Sequence, residues 1–161
     1  MKLTGDQSIA AEPERVWQGL IDPVFLKDLI PGCRSMTGDP SRGYDIAAER
    51  QVGKATIRLK GRIELAQVEP GRGALLHASG QGGSVGGARG TARIRIEPEG
   101  AGSRLSWTVE AEPEGRLAAL PGFIIDAAAR RVANGFVQRF AAAIEGTAPQ
   151  KKKWLEWLAG R

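Results

Sequence analysis

The 161-residue chain has one cysteine, Cys33, and one histidine, His77. A lone thiol excludes an internal disulfide, and one thiol with one imidazole cannot assemble a usual four-ligand zinc site. Aromatic residues are scarce at 6%, with four Phe, four Trp and one Tyr against 22 Gly. A chain so poor in bulk either draws its layers close together or leaves room between them. No apolar run approaches the roughly 20 residues that a membrane-spanning helix requires. The opening segment, MKLTGDQSIAAEPE, carries neither the apolar stretch nor the cleavage site of a secretory signal. These absences lead to the expectation of a cytoplasmic protein.

The net charge is +5, and it is unevenly placed. Residues 150–161 hold four basic side chains and one acid, Glu156, which leaves 19 basic and 17 acidic side chains in the rest. A nucleic-acid binder spreads basic charge over the folded face that meets phosphates, so nucleic acid is not expected as a partner. Basic charge gathered at one end points to an anionic surface or an acidic partner.

Hydrophobic periodicity divides the chain. Residues 2–11 read as a short polar strand. Pro13 in a first turn, with Glu12 and Glu14 beside it, opens a short helix whose apolar face is Val16, Trp17 and Leu20. Asp22-Pro23 stops it, and Phe25, Leu26, Leu29 and Ile30 mark a second short helix closed by Pro31-Gly32. From about residue 43 the period is two. Ile57, Leu59, Ile63 and Leu65 oppose Arg58, Lys60, Arg62 and Glu64; Ala92, Ile94 and Ile96 oppose Arg93, Arg95 and Glu97; Leu105, Trp107 and Val109 oppose Arg104, Ser106, Thr108 and Glu110. This is the pattern of an antiparallel sheet with one solvated face. Residues 116–145 supply a cover, with Leu120, Ile124, Ala128, Val132, Phe136, Phe140 and Ile144 at four-residue spacing. Pro121-Gly122 either starts this helix or kinks it. The expected fold is α+β, a curved antiparallel sheet around a long C-terminal helix, with two short helices after the first strand. Residues 1–146 form the domain and residues 147–161 a separate tail.

The tail, QKKKWLEWLAGR from Gln150, has its own pattern. In a helix Trp154, Leu155, Trp157 and Leu158 share a face, with Lys151, Lys152 and Lys153 just before them. Tryptophan favours the headgroup interface, and basic residues there contribute roughly 1 kcal/mol each. A disordered soluble end accounts for the lysines but not for the WLxWL pattern. A peptide that docks on a partner protein competes with the membrane reading.

Catalytic signals are weak. Gly82-Gly83-Ser84-Val85-Gly86 fits G-x-S-x-G, but strand residues follow where a nucleophile elbow needs a helix, and His77 precedes the serine. The same glycines lack dinucleotide or P-loop spacing. Two readings of them stand, simple turn chemistry or space for a ligand beside the sheet. His77 has no recognisable catalytic company, and nothing around Cys33 marks a reactive thiol. No catalytic residue and no metal ligand are assigned. The candidate cavity set is Leu29, Ile30, Ile46, Ile57, Leu59, Leu76, Ala92, Ile94, Trp107, Leu120, Phe123, Ile124, Ala127 and Ala128, an apolar lining suited to an oily small molecule.

The opening KLTG, PERVWQGLIDP at Pro13–Pro23, LIPGC at Leu29–Cys33, the glycine segment Gly80–Ala92 and IIDAAA at Ile124–Ala129 together resemble the CoxG family, the carbon monoxide dehydrogenase G proteins of the START-like, helix-grip SRPBCC superfamily. The resemblance covers residues 1–145. It implies a sheet wrapped around a long C-terminal helix, an apolar cavity, and an accessory role without catalysis. It further implies a bound quinone or similar lipid as ligand, no cofactor, and a link between a CO-dehydrogenase-type molybdenum hydroxylase and the inner face of the cytoplasmic membrane. An assembly factor that docks on that enzyme is the alternative, and a small cyclase or hydrolase on the same scaffold stands behind it.

Overall fold

A computed structural model describes residues 1–146. Strand β1 (Lys2–Ile9) is followed by helices α1 (Pro13–Ile21) and α2 (Pro23–Lys27). Six strands come next: β2 (Cys33–Asp39), β3 (Gly43–Val52), β4 (Ala55–Glu69), β5 (Gly73–Gln81), β6 (Gly87–Glu99) and β7 (Gly102–Glu114). A long helix α3 (Gly122–Glu145) closes the described chain. The strands form one antiparallel sheet in the order β1-β7-β6-β5-β4-β3-β2. This is the antiparallel sheet with a long C-terminal helix expected from the periodicity, and the helix-grip arrangement that the family resemblance implies.

Local chemistry explains the boundaries. Proline is tolerated at the first helical positions because the missing N–H would have no helical partner there, and both α1 and α2 begin on one. The Asp22 carboxylate accepts from the Val24 and Phe25 amides, 3.0 and 3.2 Å away, and so caps α2. Gly146, at φ +73°, ends α3 in the left-handed conformation that glycine adopts without strain.

Two expectations about element limits are corrected. Alternation begins before Gly43: Cys33–Asp39 is a strand whose pattern is hidden because only Met36 is buried and the register shifts between Cys33 and Ser35. The last helix begins at Gly122, so of the two expected roles Pro121-Gly122 starts the helix and does not kink it, and residues 116–121 lie outside it. Pro121 stands as its N-cap, and residues Gly115–Ala119 form a short 3-10 turn before it.

The core is shared by the two short helices, the sheet and α3. Val16 and Trp17 of α1, Leu26 of α2, Ile96, Leu105 and Trp107 of the sheet, and Val137, Phe140, Ala141 and Ile144 of α3 are buried together. Two glycines allow close packing, Gly5 beneath the ring of its register partner Trp107 within the sheet and Gly19 of α1 against α3. A Cβ on Gly5 would lie 2.5 Å from the Trp107 ring, and one on Gly19 would lie 2.5 Å from Ile144 Cδ1. Phe25 meets Phe140 edge-on and Phe136 stacks on Phe140, each at 6.0 Å between centroids. Arg139 Nε donates to the Leu29 carbonyl at 2.9 Å, and the Ala10 amide donates to the Glu145 carboxylate at 2.8 Å. Apart from the Gly5–Trp107 contact within the sheet, these ties hold the second half of α3.

Tyr44, 2% exposed, binds β3 to the end of α1 by donating its hydroxyl to the Ile21 carbonyl at 2.8 Å. Burial pushes its phenol up to about 12, helped by the nearby charges of Asp39 and Asp22. Between about pH 10 and 12 the folded chain therefore holds a proton that the unfolded chain has released. The contribution is fully present below about pH 10 and is lost as pH rises through the folded value. Since this is the sole tyrosine, a phenolate absorbance titration reads it alone. Tyr44→Phe is expected to remove that alkaline step and to cost about 1 kcal/mol in denaturant unfolding.

Candidate functional site

Two concavities among the described residues lie on opposite faces of the sheet. The inner one is an open groove of about 470 Å³ whose exposed lining is almost wholly apolar. It forms where consecutive inward positions on neighbouring strands are small: Gly61 pairs with Gly80, Gly80 with Ala88, and Ala78 with Gly90. Ile46, Ala48 and Leu59 border it on one side, and Val109 and Leu117 on another. A Cβ at Gly80 would touch only the Lys60 carbonyl at 3.6 Å, so the glycine leaves space and is not a forced contact. At the mouth, the turn Gly83–Val85 leads to Gly86 at φ +103°, where a Cβ would collide with the Glu114 carbonyl. That turn is held by glycine, which has no Cβ to clash and adopts this φ freely.

The outer concavity is larger, about 910 Å³, and polar. Arg62, Glu64, His77, Arg89, Glu110 and Glu112 line it. Arg62 is tied to Asp45 at 3.1 Å and to Glu64 at 3.2 Å, and Arg89 to Glu114 at 2.8 Å. The hydrogen bonds to Asp45 and Glu64 hold the Arg62 guanidinium above its usual range. Both arginines of this lining are thus paired with carboxylates. An apolar cleft of this kind desolvates a small molecule, whereas a broad charged saddle does not.

The groove brings together four of the residues expected to line a cavity: Ile30, Ile46, Leu59 and Ala92. Leu29 and Trp107 are instead buried in the core, and Leu76 and Ile94 pack against it. Ile57 is half-buried on β4, outside the groove lining. Leu120, Phe123, Ile124, Ala127 and Ala128 are exposed, and none lines the groove. The reason is helical geometry. A four-residue spacing advances about 40° per step, so the row from Ile124 to Ile144 turns about 200° around α3. Its end faces the core and its beginning faces away. Glycines of the Gly80–Ala92 segment, among them Gly80, Gly82 and Gly90, do line the groove. Val109 and Leu117 were readable only as ordinary sheet and helix positions. The expected membrane contacts Lys151, Lys152, Lys153, Trp154, Leu155, Trp157 and Leu158 lie outside the described residues.

No catalytic grouping faces the groove among the described residues. Ser84 is exposed in a 3-10 turn followed by β6, which lacks the helix of a nucleophile elbow. His77 lies on the outer face, and Cys33 starts β2 with its thiol against the Ser35 carbonyl at 3.4 Å. Among the described residues no three His, Cys, Asp or Glu side chains gather to hold a metal ion.

The fold is shared with solved structures of low sequence identity. A conserved protein from Geobacillus kaustophilus superposes with a TM-score of 0.81 at 22% identity, covering 91% of this chain and 97% of that one. A protein from Chromobacterium violaceum gives 0.69 at 18%, covering 89% and 96%. A protein from Mycobacterium smegmatis gives 0.69 at 16%, covering 91% and 92%. No curated protein matches this chain by sequence. Residues 5–145 match the family model of CoxG, the G component of carbon monoxide dehydrogenase, and the chain belongs to that CoxG family.

Proposed function

We propose that this chain is a non-catalytic accessory protein that carries an apolar molecule, a quinone or a lipid, in the groove between β3, β4, β5 and β6. In this reading it serves a CO-dehydrogenase-type molybdenum hydroxylase at the inner face of the cytoplasmic membrane. The apolar groove is the observation that carries it. About 470 Å³ falls within the roughly 300–1,000 Å³ of small-molecule pockets. The family name supplies the enzyme. Native mass spectrometry of the full chain, with solvent extraction of what comes off, tests the ligand. An adduct of quinone or lipid mass is expected, and protein that stays empty after incubation with short-chain quinone and with phospholipid would refute the reading.

The domain of residues 1–146 would do the binding, and the tail of residues 147–161 would hold it to the membrane. Three lysines at roughly 1 kcal/mol each amount to about 3 kcal/mol, so Lys151→Gln, Lys152→Gln and Lys153→Gln together should weaken binding to anionic vesicles about 100-fold at low salt. Vesicle sedimentation measures it, and unchanged partition would assign the tail to a protein partner. The polar outer concavity favours the second reading, an assembly factor that docks on the enzyme by this face.

A further inference from the structure

The floor of the inner groove is built without a free hydrogen-bond donor. It consists of two cross-strand rows of small residues, Gly61, Gly80 and Ala88 in one and Ala78, Gly90 and Ala111 in the next. The polar residues along it, Lys60, Ser79, Gln81, Arg89, Thr91 and Glu110, occupy the alternate strand positions, whose side chains leave by the outer face. Ser79, Arg89, Thr91 and Glu110 accordingly line the outer concavity as well. The backbone is committed too, because the ladders joining β4, β5, β6 and β7 keep continuous register across both rows. At about 4.8 Å per strand the floor runs about 14 Å across the sheet. No residue of α3 lines the groove. On the sheet-facing side of that helix, Arg130 and Asp126 fall in line with buried Val137 and Ile144, yet both are exposed. Phe123, in line with buried Ala141, is 75% exposed.

We propose that the groove recognises its ligand by the hydrocarbon chain and leaves the polar head in water, so that the chain and not the ring selects what is carried. This rests on the carrier reading and names the part of the ligand that the site reads. A quinone ring brings two carbonyl acceptors. On the groove floor each would give up its hydrogen bond to water and gain none, a loss of roughly tenfold in affinity per carbonyl. An isoprenoid or acyl chain has no polar atom to leave unpaired, and each methylene it buries strengthens binding about threefold to fourfold. One rule then admits long-chain quinones and other long-chain amphiphiles, whatever the oxidation state of the head. A head held outside would meet water and the charges of Asp126 and Arg130, and it would stay open to an electron donor while the chain is still bound.

Equilibrium dialysis of the full-length chain against three probes tests this: a dimethoxy-methyl-benzoquinone without side chain, the same ring with a decyl chain, and decanol. Decanol is expected to bind within about tenfold of the decyl quinone and to displace it. The bare ring should bind about 100-fold more weakly than the decyl quinone, or not at all. Gly80→Leu, which fills the middle of the floor, should weaken both chain-bearing probes alike, by about tenfold. Dithionite should reduce the bound decyl quinone to its hydroquinone, with two electrons from the reductant and two protons from water, as fast as it reduces the free form. A bare ring that binds as tightly as the decyl quinone, decanol that fails to displace it, or a ring shielded from dithionite would each overturn the proposal. In those cases a quinone is still bound, so the carrier reading survives. Unchanged affinity in Gly80→Leu would overturn it as well, by placing the chain outside the groove. If none of the three probes binds, the carrier reading falls and this one falls with it.

Discussion

Filling the groove by Gly61→Leu with Gly80→Phe is expected to abolish quinone or lipid uptake while the protein stays folded. The two glycines are register partners on the inward face, so both new side chains project into the same space. At Gly80 an added Cβ meets only a carbonyl oxygen at ordinary distance. At Gly61 it would sit 3.3 Å from the Ser79 carbonyl, a fit that needs a shift of a few tenths of an ångström. Replacing glycine in a strand also removes backbone freedom from the unfolded chain, which favours folding. Equilibrium dialysis with a short-chain quinone should show affinity weakened at least tenfold, equivalent to about 1.4 kcal/mol or more. Gly80→Ala, which adds one methyl, should bind nearly as well as the parent chain. His77→Ala provides the contrasting test, since this residue belongs to the outer concavity. Loss of ligand in that variant with retention in the filled one would transfer the site to the opposite face of the sheet.

The parts of the molecule that were legible in the sequence are those where one physical rule acts alone. Arg93, Arg95 and Glu97 against Ala92, Ile94 and Ile96 reveal β6 because one face is solvated and the other covered. Pro13 and Asp22-Pro23 fix α1 for reasons that need no tertiary context. The strand Cys33–Asp39 escaped because it buries only Met36, so alternation had nothing to alternate with. The groove was half legible. Small residues in β5 and β6 signalled space, and space is there. Which apolar residues border it depends on how the sheet curves, which separates Ile46, on the groove, from Trp107, in the core, although both are inward positions on their strands. The helix was the main misreading. A spacing of four residues looks like a stripe over two turns but rotates off the face over six, and exposure along α3 follows that rotation.

That rotation makes the two halves of α3 energetically unequal, and a matched pair of substitutions measures it. Phe140 is fully buried, edge-on to Phe25 and stacked with Phe136, beside the closest approach of α1 at Gly19. Phe140→Ala removes this contact area and leaves a cavity that the surrounding sheet cannot collapse to fill, so a loss of about 3–5 kcal/mol is expected. In thermal unfolding a domain of this size should lose roughly 10–15 °C. Phe123→Ala, the same chemical change on the same helix, removes a side chain that touches mostly water. Its effect should stay within about 0.5 kcal/mol. Denaturant melts of the two variants give the comparison directly, read at constant slope. If Phe123→Ala proved as costly as Phe140→Ala, the first half of α3 would lie against the sheet in solution, and the open groove would have to be abandoned. A large difference between them locates the grip of the fold in residues 133–145 and leaves residues 122–132 available to a partner.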